Sequence, residues 1–237
     1  MKKFLTWLIV CILLTSCVTV TATNRGENFP SFVDETFLKT AKLDKTIDFE
    51  KGITTFILSK TEPLTQQSSD STQYFKTDSL LLVADSAANA AVVEKNLNMM
   101  RATNSNYRED YYLGESVYMY STAYYQTRNV STYDFPVMKI TSITAGLTVR
   151  NGTTSTDWYM RVAQTGNAAD GSGFKANQVA EYNLYGGSNP RTISPPSSWK
   201  EIVMEPTGIS TAGANTYCSV SRPGGSSYFY ILENHIF

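Results

Sequence analysis

The sequence predicts a mainly β protein, an antiparallel β-sandwich with one or two short N-terminal helices. Three observations predict it. Apolar and polar residues alternate in many short runs. Turn signals recur about every ten residues through the second half of the chain. Helical spacing is confined to two stretches, both before residue 103. The clearest alternation lies at 138–164, where Ile143, Ala145, Leu147 and Val149 precede Asn151-Gly152, and Trp158, Met160 and Val162 follow it. Asn-Gly suits a type I′ turn because both central residues need positive φ. A two-residue hairpin there would put Val149 opposite Thr154, Leu147 opposite Thr156, Ala145 opposite Trp158 and Ile143 opposite Met160. The apolar residues of both strands would then share one face. Met138 and Ile140 fall in the other parity, which predicts a β-bulge at Thr141-Ser142.

Taken in order, the chain opens on an export signal at 1–22. Lys2-Lys3 is the basic start, an apolar run follows to Leu14, and small residues come next. Two processing sites stand open. Leu14-Thr15-Ser16-Cys17 has the form of a bacterial lipobox, which would lipidate Cys17, whereas cleavage after Ala22 would release a chain beginning at Thr23. A capping pair at Ser31 and Asp34, with Val33, Phe37, Leu38 and Ala41 at helical spacing, predicts a short helix over 32–42. Strands are expected at 53–59 and 79–84. Ser86 caps a second helix through Arg101, with Ala90, Val93, Leu97 and Met100 on one face. Thr103-Asn104-Ser105-Asn106 ends it, which divides the chain into an N-terminal α+β segment at 23–105 and a sandwich at 106–237. After that boundary come a tyrosine-rich strand at 116–125, the stretch at 138–164, loops at 167–173 and 186–198, and a strand at 199–205. A last hairpin turns at Pro223-Gly224-Gly225-Ser226, with Cys218, Val220, Phe229 and Ile231 on one side.

Composition narrows the function. The chain has 237 residues, 42% hydrophobic and 17% charged, so it can bury a substantial core while Ser, Thr, Asn and Tyr replace charge on its surface. Its net charge of -1 gives no basic face for nucleic acid. Membrane association is expected only through the leader or a lipid anchor. Cys11 and Cys17 lie in the leader, which leaves Cys218 without a disulfide framework.

Reactive constellations are sparse. His235 is the sole histidine, so any Ser-His or Cys-His mechanism must use it, with Cys218 as the obvious thiol. The expected turn places Cys218 opposite Ile231 as a buried small hydrophobe, with His235 at the surface. Glu109, Asp110 and Glu115 could supply a carboxylate pair, though charges just before a strand ordinarily serve solvation. Asp170-Gly171-Ser172-Gly173 lacks the twelve-residue calcium pattern and reads as a glycine-rich turn. No catalytic residue, metal ligand or cofactor is therefore assigned. The tyrosines are the best ligand candidates. Tyr118, Tyr120 and Tyr124 fall on the face opposite Val117 and Met119, where an exposed row could contact a sugar or a protein. The simpler reading covers that face with the N-terminal helices.

The tyrosine-rich strand, the Met138-Lys139-Ile140-Thr141-Ser142-Ile143 run, the Val162-Ala163-Gln164-Thr165-Gly166 strand end and the late Gly213-Ala214-Asn215-Thr216 together resemble a loose group of secreted, uncharacterised Gram-positive (Firmicute-type) β-rich proteins. The resemblance covers 115–237. It implies export and a β-rich fold, without an activity. The expected protein is thus a non-enzymatic module, secreted or lipid-anchored at the bacterial envelope, that binds a cell-surface glycan or protein. A membrane-active toxin or antimicrobial is the second expectation and a secreted hydrolase the third.

Overall fold

The computed structural model describes residues 33, 35–64, 72–102, 115–175, 178–206 and 210–237. The export signal, Cys17, Ser31, Asp34, the boundary at Thr103–Asn106, Glu109 and Asp110 lie outside the described residues. Among the described residues two helices, α1 (Glu35–Thr40) and α2 (Ala87–Ala102), accompany twelve strands. These are β1 (Lys42–Asp48), β2 (Ile53–Leu64), β3 (Gln73–Ala84), β4 (Val117–Arg128), β5 (Val137–Val149), β6 (Thr154–Asn167), β7 (Phe174–Lys175), β8 (Val179–Asn183), β9 (Arg191–Ile193), β10 (Ile202–Val203), β11 (Thr211–Ser221) and β12 (Ser227–His235).

Two antiparallel sheets face each other. The first has seven strands in the order β1-β2-β3-β4-β5-β10, with β9 also on β5. The second has five, in the order β12-β11-β6-β7, with β8 also on β6. This is the expected mainly β, two-sheet architecture. The strands β1 to β3 belong to it, because β3 pairs with β4 along eleven residues, from Gln73 opposite Thr127 to Val83 opposite Val117.

Parity along β3 shows how one sheet serves two cores. Leu81 and Val83 face the second sheet, while Leu80, Leu82 and Ala84 face the helices. Ser86 caps α2 as expected, its Oγ accepting from Asn89 N at 3.1 Å, and Ala90, Val93 and Leu97 are buried beneath it. The strand β1 escaped sequence reading because Lys45 interrupts the alternation of Leu43 and Ile47.

The Asn-Gly turn forms as expected, but the hairpin does not. Asn151 has φ 57° and Gly152 φ 72°, and Thr153 N donates to Arg150 O at 3.0 Å. The strands on either side then enter different sheets, β5 the first and β6 the second. Both edges of β5 are occupied near the turn. Leu147 and Val149 pair with Met119 and Val117 on one side, and on the other Leu147 N donates to Asn189 Oδ1 at 3.1 Å. Ala145 and Trp158 therefore enter the same core from opposed sheets instead of lying side by side. Apolar residues on one face satisfy either arrangement, so alternation alone could not choose between them.

The bulge is where parity put it. Tyr124 pairs with Ser142 and Tyr125 with Ile140, leaving Thr141 as the extra, exposed residue. Met138, Ile140, Ile143 and Ala145 all remain buried. The outer edge of β5 is completed by short pieces. β10 takes Val137 and Met138, β9 takes residues 143–145, and between them the Gln164 side chain accepts from Ile140 N at 3.0 Å. Gln164 Nε2 donates to Lys200 O at 2.7 Å, so one buried amide ties β6 to the other sheet and to the approach to β10. At the far end of the sandwich Asn234 of β12 does similar work, donating to Thr77 O at 2.9 Å and to Ser121 O at 3.0 Å.

The last hairpin is shifted by one residue from expectation. Arg222 N donates to Ser226 O at 2.9 Å, so five residues connect the strands and Cys218 pairs with Tyr230, not Ile231. A slip of one exchanges the two faces of a strand. Tyr230 and Leu232 enter the core, while Phe229 and Ile231 turn outward.

Candidate functional site: the outer face of the five-stranded sheet

The tyrosines singled out on β4 do not form one exposed row. Tyr118 is only 5% exposed, packed with Phe56, Leu82, Val93 and Leu97 beneath the helices. Burial pushes its phenol well above the ordinary range. Tyr120 is half-buried against the same cluster, its ring filling the space that a side chain at Gly146 would need. Tyr124 is half-buried between Lys76 of β3 and Ser142 of β5. The neighbouring outer surface is ionic. Lys76 Nζ lies 2.8 Å from Asp78 and 3.3 Å from Glu62, Lys60 also pairs with Glu62, and Thr122 donates to Asp78 at 2.6 Å.

The other candidate groups are engaged structurally. Glu115 is buried and ion-paired with Arg150. Asp170 accepts from Ser172 N at 3.0 Å and from its hydroxyl, and Lys200 sits 3.1 Å away. The Ser172 hydrogen bonds, followed by that of Lys200, hold the Asp170 carboxyl well below the usual range. A lysine ammonium already neutralises the carboxylate that a cation would need. His235 is exposed on the outer face of the sheet, 3.0 Å from Glu233. Cys218 is buried on the inner face, so the two groups point to opposite sides. Among the described residues no cluster of three metal-ligating side chains occurs.

Burial pushes the Cys218 thiol from 9.0 up to about 12, and the Tyr230 phenol from 10.0 up to about 12. The folded state thus disfavours both anions. Their contribution to stability is complete below the unfolded values and is lost as pH rises above about 9. The urea midpoint is expected to fall between about pH 8 and about pH 10.5, and Cys218→Ala should make that fall shallower. The native thiol should also resist disulfide-exchange reagents until urea unfolds the chain.

An aromatic strip with exposed members lies on the second sheet. Odd-numbered residues of β11, of β12 and of β6 from Asp157 onward face outward, and Tyr159 pairs directly with Tyr217. Their rings stack at 4.6 Å, and Tyr217 stacks in turn on Phe229 at 5.7 Å. Ile231, opposite Tyr217, extends the apolar strip. Phe229 is 52% and Ile231 39% exposed, large values for such side chains. Charged and amide groups rim the strip. Arg161 and Glu181 stand 3.8 Å apart, Asn215 Nδ2 reaches the Tyr217 hydroxyl at 3.4 Å, and Glu233 and His235 close one end.

Sequence reasoning missed this surface because it placed Phe229 and Ile231 inside. The signal was present in Tyr228-Phe229-Tyr230-Ile231-Leu232, which is apolar in both parities. Such a strand has one face for the core and an apolar face left over. A flat strip of this kind suits a macromolecule better than a small substrate, which needs concavity. Comparison of the chain with family models, curated proteins and solved structures gave no match.

Proposed function

We propose that the chain is an exported binding module of the bacterial envelope or extracellular space, which holds a protein partner on the outer face of its five-stranded sheet. The observation that carries this reading is the exposure of Phe229 and Ile231 beside the stacked Tyr159 and Tyr217. Aromatic anchors within a polar rim are the usual composition of a protein interface. A glycan fits less well. Sugars stack on open ring faces, whereas Tyr159 and Tyr217 cover each other at 4.6 Å, and an isoleucine offers no π-face. The leader residues Lys2-Lys3 and the apolar run to Leu14 support export, and the Cys17 motif supports tethering. Attachment would restrict the module to partners at the cell surface.

The test compares the wild-type chain with a Phe229→Ser/Ile231→Ser variant. Both should unfold at nearly the same temperature, since neither side chain lies in the core. Wild type immobilised on beads should retain a protein from a surface-protein fraction, and the variant should retain at least tenfold less. Equal retention by both would overturn the assignment of the face. Binding to a glycan array in place of protein, or dye release from liposomes, would overturn the choice of partner.

A further inference from the structure

The four sheet edges differ in how they are protected. β1 carries Lys42, Asp44, Lys45 and Asp48 among its seven residues. The edges at β9/β10 and β7/β8 are built from pieces of two to five residues. Charged and short edges resist pairing with other chains. β12 is longer than those pieces and less charged than β1, with a single carboxylate, Glu233, beside His235 at its end. It runs nine residues in unbroken register with β11, without proline, lysine or bulge, and among the described residues it pairs on one side alone.

Its backbone polarity can be assigned. Ser226 O accepts from Arg222 N at 2.9 Å, and Ile236 N donates to Ala212 O at 3.0 Å. Antiparallel pairs alternate, so the even-numbered residues between these points exchange hydrogen bonds with β11. Phe229, Ile231, Glu233 and His235 therefore direct their N–H and C=O groups away from the sheet. The same residues carry the exposed side chains.

The first sheet supplies a floor beside this edge. β12 packs on β3 and β4, and Asn234 fixes it there through Thr77 and Ser121. β2 and β1 continue the first sheet by two more strands past that line, about 10 Å at the usual strand spacing. On the inner face of β2, Thr55, Ile57 and Ser59 are half-buried. Pairing β12 with its equivalent about a two-fold would drive the two-strand overhang of each first sheet into the other. A single extended segment paired with β12 would lie over Ile57 with its other face toward Phe229 and Ile231.

We infer that β12 is a strand-acceptor edge, which takes one extended peptide segment of a partner, alternating apolar and polar, as a sixth strand of the second sheet. This rests on the proposed binding role of the same face and adds how the partner is held, by main-chain hydrogen bonds to residues 229–235.

The probe is a displayed library of random twelve-residue linear peptides, selected on the folded chain. Selected peptides are expected to alternate apolar β-branched or aromatic residues with polar ones, and to slow amide exchange at Phe229, Ile231 and Glu233 at least tenfold. Ile231→Pro removes an outward donor and no bond to β11, so the variant should stay folded yet bind those peptides at least tenfold more weakly. Failure to select peptides, binding by Ile231→Pro within twofold of wild type, or unchanged exchange at residues 229–233 would each overturn the inference. Should Ile231→Pro fail to fold, the exchange measurement on wild type decides. Loss of peptide binding in Phe229→Ser with full binding in Ile231→Pro would leave the binding face standing and remove strand pairing alone.

Discussion

Gln164→Leu is expected to cost about 3 kcal/mol of stability, although leucine nearly matches the volume removed. The wild-type amide is fully buried and joins Ile140 N at 3.0 Å to Lys200 O at 2.7 Å. Leucine leaves the Ile140 N–H stranded in the gap between β9 and β10, where no strand can reach it. Lys200 O keeps one partner, Gln178 Nε2 at 3.2 Å, so the larger loss falls on the β5 side. An orphaned buried donor costs about 1–3 kcal/mol, and the lost bond to Lys200 adds to it. Thermal unfolding should shift down by roughly 10 °C for a chain of this size. A shift below about 2 °C would mean that the amide does not complete the edge of β5.

Leu82→Ala should cost about 2–5 kcal/mol, the range for truncating a leucine in a packed core. Leu82 is fully buried between the first sheet and the helices, with Phe56, Val93 and Tyr118 in the same cluster. Val92→Ala, on the exposed side of α2, should cost almost nothing by comparison. Amide exchange in residues 87–102 is the sharper readout. If the helices are a layer of the fold, their protection falls with the loss of Leu82 before that of β6 and β11. Uniform loss everywhere would show a layer too tightly coupled to open alone. No loss in α2 would show that Tyr118 and Leu82 are covered by something else.

Much of the architecture follows from periodicity of two. A bulge near Thr141-Ser142 was legible because it is the simplest way to keep Met138 and Ile140 on the core face, and the register makes Thr141 the extra residue. Ser86 as a cap was legible from its place before Ala90, Val93 and Leu97. The sheet to which a strand belongs is not written in its alternation. Ala145 and Trp158 would bury the same faces as neighbours in one sheet or as opposites in two, and what decided was competition for the edges of β5 by β4 and Asn189. The binding face was illegible for a related reason. With Tyr228 to Leu232 apolar in both parities, a turn longer by one residue was enough to exchange inside and outside. The long loop after β8 hid another contribution, since Asn189 acts there through its side chain as a substitute strand residue.

Every exposure named above depends on β5 and β6 lying in opposed sheets, and backbone NOEs test this most directly. In isotopically labelled protein, cross-strand contacts should join β6 to β11 around Met160 and Thr216, and β5 to β4 around Thr144 and Thr122. Between Ala145 and Trp158 only side-chain contacts should appear. Hα–Hα contacts linking Ala145 to Trp158, or Leu147 to Thr156, would place both strands in one sheet and contradict the account.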